Sequence, residues 1–261
     1  MRFSSRFAIW IVAVVALLGI RQSTIQSAIR QSAIHQSAIH QSTIHQSTIQ
    51  SALRNPQSAL SPSPWRSLFD GASLKEWRGY KADAVPAGWK IDHGTLAKDA
   101  RVADIVSKDE FGDFELEIDW RIGEAGNSGI FYRGTEEYDH IYWSAPEYQL
   151  LDDIKGADNK TRLTCAGAVY ALYPSPPGHL KPVGDWNAAR IVARGAHVEH
   201  WLNGVKLAEY ELWSPDWEAK VKASKFGEWP HYGRAKRGHI AMQGDHEGSL
   251  AFRNIRIREI K

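Results

Sequence analysis

The chain has 261 residues, with 32 Lys and Arg against 30 Asp and Glu, a formal net charge of +2. Residues 1–60 hold five Arg and no acid, so the rest of the chain sets 27 basic residues against 30 acidic ones. That balance excludes a basic field for nucleic acid. Cys165 is the single cysteine, which excludes an intrachain disulfide, and its type reads as a small buried apolar residue.

In chain order, Arg2 and Arg6 precede an uncharged stretch over residues 7–20, short for a membrane span. It reads as an export signal, which places the protein in the periplasm or outside the cell. An uncleaved anchor in the membrane is the second reading, because no A-x-A site follows. Residues 22–53 repeat a five-residue unit, as in Gln31-Ser32-Ala33-Ile34-His35 and Gln36-Ser37-Ala38-Ile39-His40. A period of five builds neither a helical face nor a strand face, so the repeat reads as a low-complexity spacer. Pro56, Pro62 and Pro64 end it. The division is therefore 1–21 as signal or anchor, 22–64 as spacer and 65–261 as the folded domain, large enough for a substantial core.

The domain reads as all-β. Residues 114–120 alternate strictly: Phe114, Leu116, Ile118 and Trp120 face one side, Glu115, Glu117 and Asp119 the other. Residues 130–133, 148–151, 188–194, 197–202, 239–243 and 252–260 are further strands. Asn203-Gly204 between apolar runs predicts a hairpin. Residues 216–225 predict one or two helical turns. Many short strands separated by Gly, Asn and Asp turns predict a two-sheet antiparallel sandwich with long loops, and a jelly roll is the version that curves one sheet into a groove.

Candidate site residues lie on these strands. The run Gly126-Asn127-Ser128-Gly129-Ile130-Phe131-Tyr132-Arg133 is echoed by Pro146-Glu147-Tyr148-Gln149-Leu150-Leu151-Asp152-Asp153. Period-two alternation puts Glu147 and Gln149 on one face, a carboxylate and an amide suited to sugar hydroxyls. Arg133 shares a face with Phe131 and suits a developing oxyanion, or a salt bridge to Glu147 or Asp152. Asn127 stands in a turn. Asp152 and Asp153 end their strand beside a polar loop, where paired carboxylates can take a divalent cation. No cofactor is otherwise specified. Of ten Trp beyond the first segment, alternation assigns Trp120 and Trp201 to the core. Trp143, Trp213, Trp217 and Trp229 sit in loop-like segments where a flat ring can stack on a sugar. Tyr170 is a further wall candidate.

An ordered set of motifs carries a resemblance. Ser67-Leu68-Phe69-Asp70-Gly71 with Leu74 and Trp77 opens it, followed by Phe111-Gly112-Asp113-Phe114-Glu115-Leu116, Asn127-Ser128-Gly129-Ile130 and Glu147-Tyr148-Gln149-Leu150-Leu151-Asp152. Trp186-Asn187, Leu202-Asn203-Gly204, Arg237-Gly238-His239-Ile240 and Phe252-Arg253-Asn254-Ile255 complete it. Over residues 65–261 the chain resembles the 3-keto-disaccharide hydrolase family. The resemblance implies a concanavalin-like jelly roll, akin to laminarinases, that cleaves glycosides already oxidised to a ketone at carbon 3. Such a ketone acidifies the C2 proton, so the reaction asks for a base, an acid for the leaving oxygen and donors around the ketone. Glu147, His246 and Arg133 are the catalytic candidates; His246 and Gln243 lie in the family-like run Gln243-Gly244-Asp245-His246. Asn127, Gln149, Tyr170, Gln243 and Trp143 are the substrate-binding candidates. The expected partner is an oligosaccharide or 3-keto-glycoside. Two other readings stand beside this one. A non-catalytic carbohydrate-binding jelly roll would use the same aromatics and amides. A conventional retaining glycosidase would use Glu115, Glu117 and Asp119, provided they face a cleft.

Overall fold

The computed structural model describes residues 63–261, so the export segment and nearly all of the spacer lie outside the described residues. The domain is a sandwich of two antiparallel sheets. The larger runs β11 (Val205–Glu211), β10 (His197–Leu202), β9 (Asn187–Arg194), β6 (Phe114–Ile122), β13 (Leu250–Glu259), β4 (Thr95–Lys98) and β3 (Lys90–Asp92). A two-residue β1 (Arg66–Ser67) also pairs with β13. The smaller sheet runs β2 (Trp77–Gly79), β5 (Ile105–Phe111), β12 (Gly238–Met242), β7 (Asn127–Gly134) and β8 (Glu147–Leu151). Each strand read from the sequence forms within two or three residues of its expected bounds, and β1 to β5 are the additions. The hairpin at Asn203-Gly204 forms with both residues at positive φ, 51° and 86°, the backbone a tight β-turn demands.

The core lies between the sheets. Phe114, Leu116, Ile118 and Trp120 meet Ile130, Tyr132, Tyr148 and Leu150 there. Each buried aliphatic or aromatic side chain contributes about 1.5–3 kcal/mol. A polar triad crosses this interior. His200 Nδ1 donates to the Gly167 carbonyl at 3.2 Å, so its Nε2 accepts from the Tyr132 hydroxyl at 2.9 Å, and Tyr132 in turn accepts from Tyr210. Burial lowers the His200 pKa to about 4, so the ring is neutral.

Two tryptophans lie elsewhere than the sequence suggests, Trp201 against its alternation and Trp217 against its loop-like segment. Trp217 is fully buried on α1 (Pro215–Ala223), stacked between Tyr210 and Tyr232, and has no face left for a sugar. Trp201 is half-buried on the outer face of the larger sheet beneath Arg190. The β10–β11 register shifts between His200 and Trp201.

Candidate active site

The site grows from the outer face of the smaller sheet, the side turned away from the main core. Alternation brings Asn127 and Gly129 on β7 and Glu147 and Gln149 on β8 to this face, joined by Asp104 just before β5 and Gln243 just after β12. The free edge of β8 is closed by a loop: Gly167 N donates to Gln149 O at 2.8 Å and Tyr170 N to Glu147 O at 3.1 Å. Both faces of β8 are therefore buried, and Glu147 retains only 6% of its surface.

Gly129 makes room for that carboxyl. It pairs with Gln149 across the ladder, and a Cβ built on it would stand 2.2 Å from Glu147 Oε1. The Glu147 pKa is raised to about 8, mainly by burial, with the charge of Lys225 opposing and those of Asp245, Asp158 and Asp104 adding to the rise. Asp104 is likewise raised to about 7 by burial, although its Oδ1 accepts from Gly244 N at 2.7 Å.

The loop carrying Gln243 to His246 is held from several sides. Gln243 N donates to Gly129 O at 3.0 Å, and Ser128 Oγ to Gln243 O at 2.9 Å. The buried Lys98 ammonium donates to the carbonyls of His246 at 2.7 Å and Gly248 at 3.1 Å. Desolvation lowers the His246 pKa, while Asp245, with Oδ1 3.7 Å from Nε2, and Asp158 pull it up. Asn127 links the two halves: its Oδ1 accepts from Gln149 Nε2 at 3.2 Å, and its Nδ2 donates to Asp158 at 3.1 Å. Tyr170 also donates to Asp158, at 3.3 Å. Three buried acceptors, Gln149 Oε1, Gln243 Oε1 and Asp245 Oδ1, have no protein donor. Buried acceptors left open in one region suit a ligand rich in hydroxyl donors.

Residues 64–258 match a family model described as the 3-keto-alpha-glucoside-1,2-lyase-like domain. The chain belongs to this family. A relative from Bacteroides thetaiotaomicron named 3-keto-disaccharide hydrolase is 36% identical over 227 residues, 74% of this chain and 77% of that protein. Two crystal structures of candidate glycosyl hydrolases from Parabacteroides distasonis are also similar. One is 30% identical with a TM-score of 0.70, covering 76% of this chain and 94% of that one. The other is 28% identical with a TM-score of 0.60, covering 75% and 99%.

Within this lyase-like domain, the structure places Glu147, Gln149, Asn127, Tyr170, Gln243 and His246 in one region. Arg133 is not among them. Its backbone is left-handed at φ 52°, which ends the alternation that would align it with Phe131. Its guanidinium is spent on Gly112 O at 2.9 Å, Gly195 O at 2.8 Å and Asp113 at 3.0 Å, so it is neither an oxyanion donor nor a partner of Glu147 or Asp152. Trp143 stacks on Trp229 with centroids 4.1 Å apart, beside a Tyr142–His140 stack at 4.8 Å. Of these rings, Tyr142 feels the charges of Glu147, Asp245 and Asp104.

The expected cation ligands are also engaged elsewhere. Asp152 accepts from the backbone of Ala125, Ile154 and Lys155, which lower its pKa. Asp153 accepts from Ala166 N and pairs with Arg162. Both close a loop. A separate group, His197, Glu199 and Glu209, sits on the edge of the larger sheet with the Lys206 ammonium between the two carboxylates.

Sequence reasoning misses Asp104 and Lys225. Neither lies in a motif, and each reaches the site from a distant segment. The acids of β6, which the alternative of a conventional glycosidase would use, are committed to arginines. Glu117 and Asp119 line a groove of about 940 Å3 on the outer face of the larger sheet, yet all three acids are paired. Glu115 pairs with Arg190 and Arg258, Glu117 with Arg256, and Asp119 with Arg253 and Asn254. Carboxylates committed to arginine are not free to attack a sugar.

Proposed function

We propose that this enzyme cleaves 3-keto-glycosides by acid–base elimination followed by hydration. The observation that carries the reading is Glu147, a carboxyl buried on the outer face of the smaller sheet whose pKa is raised to about 8. At neutral pH it holds its proton and can deliver it to the departing glycosidic oxygen. His246, whose pKa lies below 6.5, is then neutral and can accept the C2 proton. Two groups with pKa values pushed apart supply an acid and a base together at one pH.

The steps balance. The C2–H bond breaks toward His246, and its electron pair forms the enolate of the C3 ketone. The ketone then re-forms as the C1=C2 double bond appears and the C1–O bond breaks, with the aglycone oxygen taking the Glu147 proton. Water adds at C1, and a proton returns to C2. Gln149, Gln243 and Asp245 offer their open acceptors to sugar hydroxyls. Tyr170 and Tyr142 form walls for the ring's C–H face. The family membership and the relative named for this activity support the substrate class. A purely binding role would leave unused the raised carboxyls of Glu147 and Asp104. An exported location is part of the proposal and rests on the apolar residues 7–20.

The test is turnover of a 3-keto-disaccharide beside its unoxidised parent, with wild type and Glu147→Gln. Selective loss of the keto substrate, abolished in the variant, is the expected result. Binding without cleavage of either sugar would favour a binding module, and cleavage of the parent alone would return the reading to a conventional glycosidase.

A further inference from the structure

The elimination develops negative charge on the C3 oxygen, and the structure gives Arg133 no part in meeting it. The other cations near the cleft are also committed or displaced. Lys98 spends its ammonium on carbonyls, with Ala100 O at 3.4 Å in addition to those of His246 and Gly248. Arg101 is exposed and acts on His246; it is not among the charges that act most on Glu147.

Lys225 differs from all of these. It opens a short 3-10 turn (Lys225–Glu228) whose start is fixed by Ser224, with Oγ accepting from Phe226 N at 3.1 Å. Its ammonium stands 4.3 Å from the centroid of the Tyr170 ring, 5.3 Å from that of Phe226 and 6.0 Å from that of Tyr142. Among the described residues it has no carboxylate partner and no hydrogen bond through Nζ. Aromatic faces hold a cation in place while leaving its N–H bonds free. Two of those rings, Tyr170 and Tyr142, are the cleft walls that also feel Glu147. The ammonium is thus held by side chains that cannot neutralise it, near enough for its charge to be the main one that opposes the burial of Glu147.

The geometry points to Lys225 as the catalytic residue that donates a hydrogen bond to the C3 oxygen of the substrate and stabilises the enolate formed there. As the C2 proton leaves, the electron pair moves onto that oxygen, and a Lys225 N–H strengthens its bond to it. The lysine gains and loses no proton overall. A preorganised donor aimed where charge develops acts on the chemical step more than on binding. This inference rests on the 3-keto-glycoside reading of the same cleft.

The experiment compares wild type, Lys225→Met and Lys225→Arg on a 3-keto-disaccharide and on the same substrate deuterated at C2. Lys225→Met is expected to lower kcat by about 10²–10³-fold with a smaller change in KM. It is also expected to enlarge the isotope effect on kcat, because C2–H cleavage becomes slower relative to other steps. Lys225→Arg, which keeps the charge, is expected to recover part of the loss. Lys225 is exposed, so melting temperatures should stay close to wild type. A Lys225→Met kcat within threefold of wild type overturns the assignment. So does a loss of rate with an unchanged isotope effect, which would mark a structural role. If wild type itself leaves the keto substrate intact, the parent reading fails and the lysine assignment falls with it, an outcome distinct from an active wild type with an indifferent variant.

Discussion

Gly129→Ala separates the placement of the Glu147 carboxyl from its chemistry. Gly129 lies in β7 without a positive φ, so alanine suits its backbone. The added methyl would stand 2.2 Å from Oε1 of Glu147 and 2.8 Å from its Cγ and Cδ. Restoring ordinary contact moves the carboxyl by about 1 Å. A displacement of that size costs about 100-fold in rate when the group must meet a reacting atom. Overpacking of this kind costs about 1–3 kcal/mol, which lowers the melting temperature by several degrees and leaves the fold intact. The assay is kcat on a 3-keto-disaccharide at neutral pH beside a thermal melt. Native-like melting with kcat within threefold of wild type would refute the argument that Glu147 acts from the position Gly129 allows it.

Two further outcomes concern pH. The rate should fall on the alkaline side near pH 8, as Glu147 loses the proton it must donate, and on the acid side below pH 6.5, as His246 becomes charged; a pH–rate profile of kcat that stays flat from 5 to 9 would oppose the assignment. Glu147→Gln should abolish turnover yet stabilise the fold at high pH. The folded-state pKa of Glu147 is raised from 4.5 to about 8, so the wild-type contribution is complete below 4.5 and is lost as pH rises through 8. A neutral amide removes that loss, worth on the order of a few kcal/mol. Melts at pH 8.5 should place the variant above wild type, with the two converging near pH 4.5; a variant that melts lower at pH 8.5 contradicts the buried-carboxyl account.

The sandwich was legible because its long strands bury one face. The alternation of Phe114 to Trp120 and the Asn203-Gly204 turn each follow from local rules, and Glu147 and Gln149 could be placed on a common face by period two alone. Arg133 escaped because the same rule was carried one residue too far, past a left-handed backbone that no residue type announces. Asp104 escaped because its significance comes from Gly244, 140 residues away in sequence. Lys225 reads as the end of a charged helix; only the packing of Tyr142 and Tyr170 around it reveals a held cation. The acids of β6 look catalytic in one dimension, since their arginine partners lie on β9 and β13.

The buried guanidinium of Arg133 has a mechanical consequence. It is anchored on β7 of the smaller sheet, yet it grips Gly112 and Asp113 at the crossing into β6 and Gly195 in the β9–β10 turn of the larger one. Asp113 closes the triangle by accepting from Gly195 N at 2.9 Å. One side chain thus rivets the two layers at one end of the sandwich. The layers cannot peel apart there without exposing a charge and several carbonyls at once. The domain should therefore lose both sheets in a single cooperative event, with backbone amides around residues 112–113, 133 and 195 exchanging with solvent at a common rate.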